Sequence, residues 1–265
     1  MRPTEPGLNW SRVGASILRR VSNRPASAGF ATAKPARERV AHGEGRGVMQ
    51  HIVVLNPKGG SGKTTIATNL AAYFAASRRS PALMDLDPQG SSMRWLENRP
   101  KHYPPIHGIA AFQRSASVTR SWHLRIPSQC DSLIVDTPAG LKAETLPEIT
   151  RGADAVLVPI TPSDPDIHVA ARCIEDLLLV AKIPRGAGRI GIIANRVRRN
   201  TRILKALWRF LSSLDIPVVA ALRDTQIYVR TTQSGTGIHE MPRGQVRQDL
   251  RSWVSLTEWL EKNEP

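Results

Sequence analysis

Between residues 56 and 65 the chain reads Asn-Pro-Lys-Gly-Gly-Ser-Gly-Lys-Thr-Thr, its densest concentration of phosphate-binding chemistry. Gly59, Gly60, Ser61 and Gly62 carry little or no side chain, so their backbone N–H groups can converge on an anion. Lys63 can bridge the β- and γ-phosphates of a nucleoside triphosphate, the Thr64 hydroxyl can ligate Mg²⁺, and Thr65 is placed to reach the α-phosphate. The apolar run His51–Leu55 precedes the loop and Ile66-Ala67-Thr68-Asn69-Leu70 continues it as a good helix. That context aims the positive end of a helix dipole at the phosphates. A glycine-rich turn between strand and helix need bind nothing. Here the spacing, the lysine, the threonine and the flanking elements together argue for a ligand.

The ordinary phosphate-loop pattern has glycine five positions before Gly62, where this chain has Pro57, and it adds Lys58. In this departure the loop resembles that of the ParA/MinD/nitrogenase-reductase group of ATPases. The resemblance implies that Lys58 reaches across a nucleotide-sandwich dimer to the partner's phosphates. A second cation would then stabilise the transferring phosphoryl oxygens only when two subunits have closed.

Two acidic strand ends extend the resemblance. Leu83-Met84-Asp85-Leu86-Asp87-Pro88-Gln89-Gly90-Ser91 is similar to the first switch of ParA-like proteins. By that resemblance Asp87 orients the attacking water and Asp85 helps organise the Mg²⁺ environment, and the two carboxylates are expected to point to opposite sides. An Asp-Pro turn closing a strand is the plainer alternative. Leu133-Ile134-Val135-Asp136 reads as a buried strand ending in an acid suited to hold Mg²⁺ through water, followed by a second switch, Thr137-Pro138-Ala139-Gly140. The Pro138-Ala139 order departs from many relatives.

Asn195 ends the run Gly191–Ala194, where the resemblance implies an adenine-reading asparagine and where a turn residue would serve equally well. Arg223-Asp224-Thr225 resembles the second base-flanking loop, placing Arg223 among the nucleotide-binding candidates. Beyond lies a basic block: Arg196, Arg198, Arg199, Arg202 and Lys205, then Arg230, Arg243, Arg247 and Arg251. It is either a solvated helical face or a surface that neutralises DNA phosphates without reading bases. The resemblance favours nonspecific DNA, with Arg196, Arg198, Arg199, Arg202, Lys205, Arg230 and Arg247 as its candidates.

The elements that position these groups are legible as alternation. His51–Leu55, Pro81–Leu86, Ser132–Val135, Ala153–Ile160, Arg189–Ala194 and Ile216–Leu222 read as strands separated by helix-length amphipathic segments. This predicts an α/β chain: a single P-loop NTPase domain with a mainly parallel twisted sheet, helices on both faces and ligand sites at the carboxyl ends of the strands. At 265 residues and 41% hydrophobic content the chain suits one full α/β domain, assigned to 49–265. Residues 1–48 carry nine Lys/Arg against three Asp/Glu without sustained periodicity, and read as a disordered basic arm. That arm resembles a transit peptide superficially; alternatively it is dispensable, or translation starts at Met49.

The formal net charge of +15 is uneven. Residues 189–251 hold 12 Lys/Arg against 4 Asp/Glu, whereas 49–188 hold 15 against 12, so the excess lies in the arm and the C-terminal block. Cys130 and Cys173 form no CxxC pair, which argues against a disulfide framework, a zinc site or a cluster. No apolar run approaches the roughly 18 to 20 residues of a membrane span. Trp253, Leu256, Trp259 and Leu260 recur at helical spacing beside Glu258, Glu261 and Glu264, a stripe read as core packing because an anionic membrane would repel those acids.

The expected whole is a cytoplasmic, nucleoid-associated ATPase using ATP and Mg²⁺. It closes a homodimer on ATP, holds nonspecific DNA, and answers to a ParB-like or other adaptor protein, with no membrane. Two other classes are an ATP-dependent assembly enzyme or ligase on the same fold, and a nonenzymatic scaffold that ATP locks on DNA.

Overall fold

The computed structural model describes residues 49–112, 126–198 and 201–265. Strands and helices alternate along the chain. They are β1 (Gln50–Val54), α1 (Lys63–Ala76), β2 (Pro81–Asp85), α2 (Ser91–Glu97), β3 (His107–Ala110), β4 (Ser132–Asp136), α3 (Leu146–Ile149), β5 (Ala155–Ile160), α4 (Asp164–Leu179), β6 (Ile190–Val197), α5 (Arg202–Ser212), β7 (Val218–Arg223), α6 (Ile227–Ser234) and α7 (Arg243–Lys262). The strands form one seven-stranded sheet in the order β3-β2-β4-β1-β5-β6-β7. Every pairing is parallel. All seven carboxyl ends therefore lie along one edge, where the predicted ligand loops belong.

The apolar runs are long because each central strand is covered on both faces. Successive side chains alternate between two layers. Val53, Leu55, Leu133, Val135, Val156 and Val158 pack with Ile167, Ile174 and Leu177 of α4 and Leu207, Phe210 and Leu211 of α5. Ile52, Val54, Leu83, Ile134 and Leu157 pack with Ile66, Leu70 and Phe74 of α1 and Trp253, Leu256 and Leu260 of α7. The C-terminal stripe is thus core, with Trp253 and Leu256 wholly buried.

Six of the seven strands were legible as apolar runs. β3 was not: His107-Gly108-Ile109-Ala110 is short, lies on the outer edge beside β2, and buries only Ile109 of its four residues. The predicted arm, residues 1–48, lies outside the described residues. Among those described, no helix is long and apolar enough to cross a membrane, and Cys130 and Cys173 are free thiols.

His239 lies in the short 3₁₀ turn Ile238–Glu240. Its ring sits 4.8 Å from that of Tyr73 and 5.6 Å, edge-on, from that of Trp253. Its Nδ1 has no hydrogen-bond partner among the described residues, and burial lowers the pKa from 6.5 to about 4. The unfolded chain therefore binds a proton that the folded chain refuses in this window. Stability is fully present above pH 6.5 and falls by up to about 3 kcal/mol as the pH drops through 4. Asp136, raised to about 6, acts in the opposite sense over part of the same range. The test is accordingly a difference: urea unfolding of His239→Phe should lose this acid sensitivity relative to wild type, and identical pH profiles would refute the assignment.

Candidate functional site

The glycine-rich segment leaves β1 and enters α1 through backbone that side chains would obstruct. Gly60 and Gly62 adopt φ of 77° and 96°. A Cβ on Gly62 would come within 2.1 Å of Asn195 Nδ2. The loop is braced from three other strand ends. Asn56 donates to the Pro159 carbonyl at 2.7 Å and accepts from Lys58 N at 2.9 Å. Asn195 donates to the Ser61 carbonyl at 2.8 Å. Gly140 N donates to the Pro57 carbonyl at 2.8 Å, tying the second switch to the first turn of the loop. An anion cradle formed this way is rigid before any ligand arrives.

Lys63 is the first residue of α1 and is 7% exposed. Its Nζ donates to the Lys58 carbonyl at 3.2 Å. Burial lowers its pKa, opposed by the charges of Asp136 and Asp87, so those carboxylates help to hold a cation that is costly to desolvate.

Asp136 ends β4 beside it. Ser92 Oγ donates to Oδ2 at 2.6 Å. Burial raises the pKa to about 6, while Ser92, the Thr64 hydroxyl and the Lys63 charge pull it back. The other oxygen, Oδ1, is buried without a hydrogen-bond partner among the described residues. An unmatched carboxylate oxygen beside a threonine hydroxyl is a donor set that suits Mg²⁺, a cation that takes one or two protein oxygens and completes its shell with water and phosphate. No group of three or more His, Cys, Asp or Glu residues suited to a metal occurs among the described residues, and an ion held this way requires none. When bound with nucleotide, such an ion neutralises the phosphate charge. Thr64 and Asp136 would hold it, and Lys63 would face the phosphates from the loop.

Asp85 departs from the expected role. One oxygen accepts from Asp87 N at 2.9 Å, and the other accepts from Ser92 N at 3.0 Å and Met93 N at 3.3 Å. The carboxylate is wholly buried and is spent on shaping the first switch and the start of α2, so any effect on a metal would pass through Ser92. The expected opposite orientation of Asp85 and Asp87 also fails, because residues two apart on a strand share a face. What separates them is that β2 stops at Asp85. Asp87 lies in the following turn, where it accepts from Gln89 N at 2.9 Å and its carbonyl accepts from Gly90 N at 2.8 Å.

Lys58 sits at the mouth of the loop with its side chain 42% exposed, its Nζ 3.8 Å from Asp166 Oδ1. Asp166 also accepts from Ser163 Oγ at 2.6 Å and from Thr161 Oγ1. An ion pair this long and this open to water holds the lysine only weakly.

Two nucleotide-side expectations are revised. Asn195 lies inside β6, which runs on to Val197, and its amide is already engaged, donating to the loop and accepting from Arg196 N at 2.9 Å. Arg223 closes β7 with its guanidinium turned to Asp249 of α7, two contacts of 2.8 and 2.9 Å on a carboxylate that is 1% exposed. A buried carboxylate demands a partner, and Arg223 supplies it. Among the DNA candidates, Arg196, Arg202, Lys205, Arg230 and Arg247 are exposed. Arg198 is exposed but paired with Asp224 at 2.6 Å, and Arg199 lies outside the described residues. Sequence reasoning missed Ser92, Asn56 and Asp166. The Ser163-Asp164-Pro165-Asp166 run carries a helix-start signature that could have located Asp166, and nothing local marked Ser92.

The family described as the CobQ/CobB/MinD/ParA nucleotide binding domain matches residues 52–237. A curated relative, the maintenance of carboxysome distribution protein A of Gloeobacter kilaueensis, is 28% identical over 213 residues, covering 80% of this chain and 94% of its own. Among solved structures, a chain of the MinC:MinD cell division protein complex of Aquifex aeolicus superposes with a TM-score of 0.61 at 18% identity, covering 80% of this chain and 94% of that one. An ATP complex of Cyanothece McdA superposes at 0.58 and 17%, covering 79% and 96%.

Proposed function

The chain belongs to the CobQ/CobB/MinD/ParA nucleotide-binding family and is an ATPase, and from that premise we propose that it is an ATP-driven dimerising switch that positions a large cargo on DNA. ATP with Mg²⁺ occupies the Gly59–Thr65 loop, with Thr64 and Asp136 on the metal side, and Asp87 orients the attacking water. Lys58 completes the site of a second subunit. The exposed cations Arg196, Arg202, Lys205, Arg230 and Arg247 hold the nucleoid without reading sequence. An adaptor protein of ParB-like role stimulates turnover, and the released subunits rebind elsewhere in the cytoplasm. The Gloeobacter relative's name, which concerns carboxysome distribution, supports a positioning role and leaves the cargo here open.

The observation that carries this reading is the placement of Lys58. Its backbone is fixed by Asn56, while its ammonium stands at the loop mouth with one long contact to Asp166. A lysine meant for its own phosphates would lie where Lys63 lies. One held loosely at the rim is available to another subunit.

The experiment is DNA binding by purified protein with ATP, with ADP and without nucleotide, across a salt series, beside Asp87→Ala. Binding should require ATP and persist in Asp87→Ala, which cannot turn over. With about six phosphates neutralised, affinity should fall about 10³-fold between ~50 and ~200 mM salt. Binding indifferent to nucleotide, or none, would leave the basic block a solvated face and favour an assembly enzyme on this fold.

A further inference from the structure

An open groove of about 1050 Å³ lies beside the edge strand β7. Val197, Leu204, Ala221 and Trp208 supply its apolar lining. Arg198, Arg223, Arg247 and Arg251 line it. It lies between α5, which packs on one face of the sheet, and α7, which packs on the other.

Two of the four arginines that line the groove are already paired. Arg198 is neutralised by Asp224 and Arg223 by the buried Asp249. Arg247 and Arg251, one turn apart on α7, are exposed and form no ion pair with the described residues. Trp208 is 37% exposed, although the rest of its helix turns Leu207, Phe210 and Leu211 wholly inward. Val254, at the next turn of α7 after Arg251, is 48% exposed. An apolar lining with two unmatched cations beside it therefore belongs to neither the core nor the phosphate loop.

We propose that this groove docks an acidic, apolar-rich peptide segment of a partner protein, its carboxylates meeting Arg247 and Arg251 and its apolar side chains covering Trp208 and Leu204. Phosphate backbone would use two cations and gain nothing from the apolar lining. An acidic amphipathic segment uses both features. The chain's own first 48 residues are an unsuitable occupant, since nine Lys/Arg against three Asp/Glu would be repelled by Arg247 and Arg251. The inference rests on the groove alone and stands apart from the DNA reading, which places its contacts on Arg196, Arg202, Lys205 and Arg230 as well.

The test is fluorescence anisotropy of a labelled peptide of alternating glutamate and leucine, titrated with the full chain, beside a glutamine-for-glutamate counterpart and a labelled DNA duplex. The glutamate peptide should bind and the glutamine peptide should not. Arg251→Glu and Trp208→Ala should each weaken it about tenfold or more while ATP turnover is retained, and unlabelled duplex should fail to displace it from the nucleotide-free protein. Absence of binding, binding unmoved by both substitutions, or displacement by duplex would overturn the proposal, the last assigning the groove to nucleic acid. Failure of ATP-dependent DNA binding would not touch it.

Discussion

Alanine in place of Lys63 should lower ATP turnover by about 10²–10³-fold, the scale of removing one preorganised group that stabilises charge in a transition state. The reason is local. Lys63 Nζ is buried under the loop, in the field of Asp136 and Asp87, and it is held from the main chain of Lys58. Its removal takes away both the cation that faces the phosphates and part of the compensation that keeps Asp136 ionised. The pKa of Asp136, already raised to about 6, should rise further. Steady-state turnover at saturating nucleotide measures the first effect, and the pH dependence of nucleotide binding the second. Turnover within a few-fold of wild type would show that the loop does not bind phosphate as described. Unfolding in urea should remain cooperative, because Lys63 contributes a desolvated charge and little packing.

A second large effect is expected far from the phosphates. Arg99, just beyond α2, forms a buried ion pair with Glu240, their side chains 5% and 2% exposed. Arg99 also donates to the Gly235 carbonyl at 3.2 Å and lies 5.5 Å from the Trp95 ring and 5.3 Å from the Tyr103 ring. Trp95 Nε1 donates to the Thr231 carbonyl at 3.2 Å. Gly235, at φ 64°, packs so tightly that a Cβ there would meet the Arg99 backbone at 2.4 Å. Together these contacts clamp the end of α2 to the turn after α6. Glu240→Ala leaves a guanidinium buried without its carboxylate, so we expect a loss of about 3–5 kcal/mol in urea unfolding. Replacing both partners by methionine should cost much less, because no charge is then stranded. A single substitution costing under about 1 kcal/mol, the range of exposed pairs, would refute the burial argument. Since α2 begins with the residues that bond Asp85 and Asp136, nucleotide affinity should fall along with stability.

The parts of the site that were legible are those whose chemistry is written over a few adjacent residues. Gly59 to Thr65 requires only that a strand precede and a helix follow. Both do, and the two positive-φ glycines stand where the turn needs them. The strand ends at Asp85 and Asp136 were located by the apolar runs before them, because a strand buried on both faces reads as uninterrupted hydrophobicity, whereas β6 runs past the expected end at Asn195 to Val197. The errors have equally definite causes. Asp85 and Asp87 were assigned opposite faces when a spacing of two gives one face, and only the end of β2 separates them. Arg223 looked like a base-side arginine because nothing beside it reveals Asp249, 26 residues away. Arg198 looked free for the same reason. β3 escaped notice because an edge strand that buries one residue has no apolar run to betray it.

The sequence by itself determined the alternation of strand and helix, the phosphate loop with its additional lysine, and the acids that end β2 and β4. Each follows from hydrophobic period and turn chemistry acting over neighbouring positions. Only the tertiary structure decided how those groups are used: that Ser92 reaches Asp136 across 44 residues, that Asp85 is spent on backbone N–H groups, and which arginines are paired. The physical reason is that a charge or hydroxyl is defined by its partner. Burial and hydrogen bonding across a parallel sheet bring together residues that no local spacing connects.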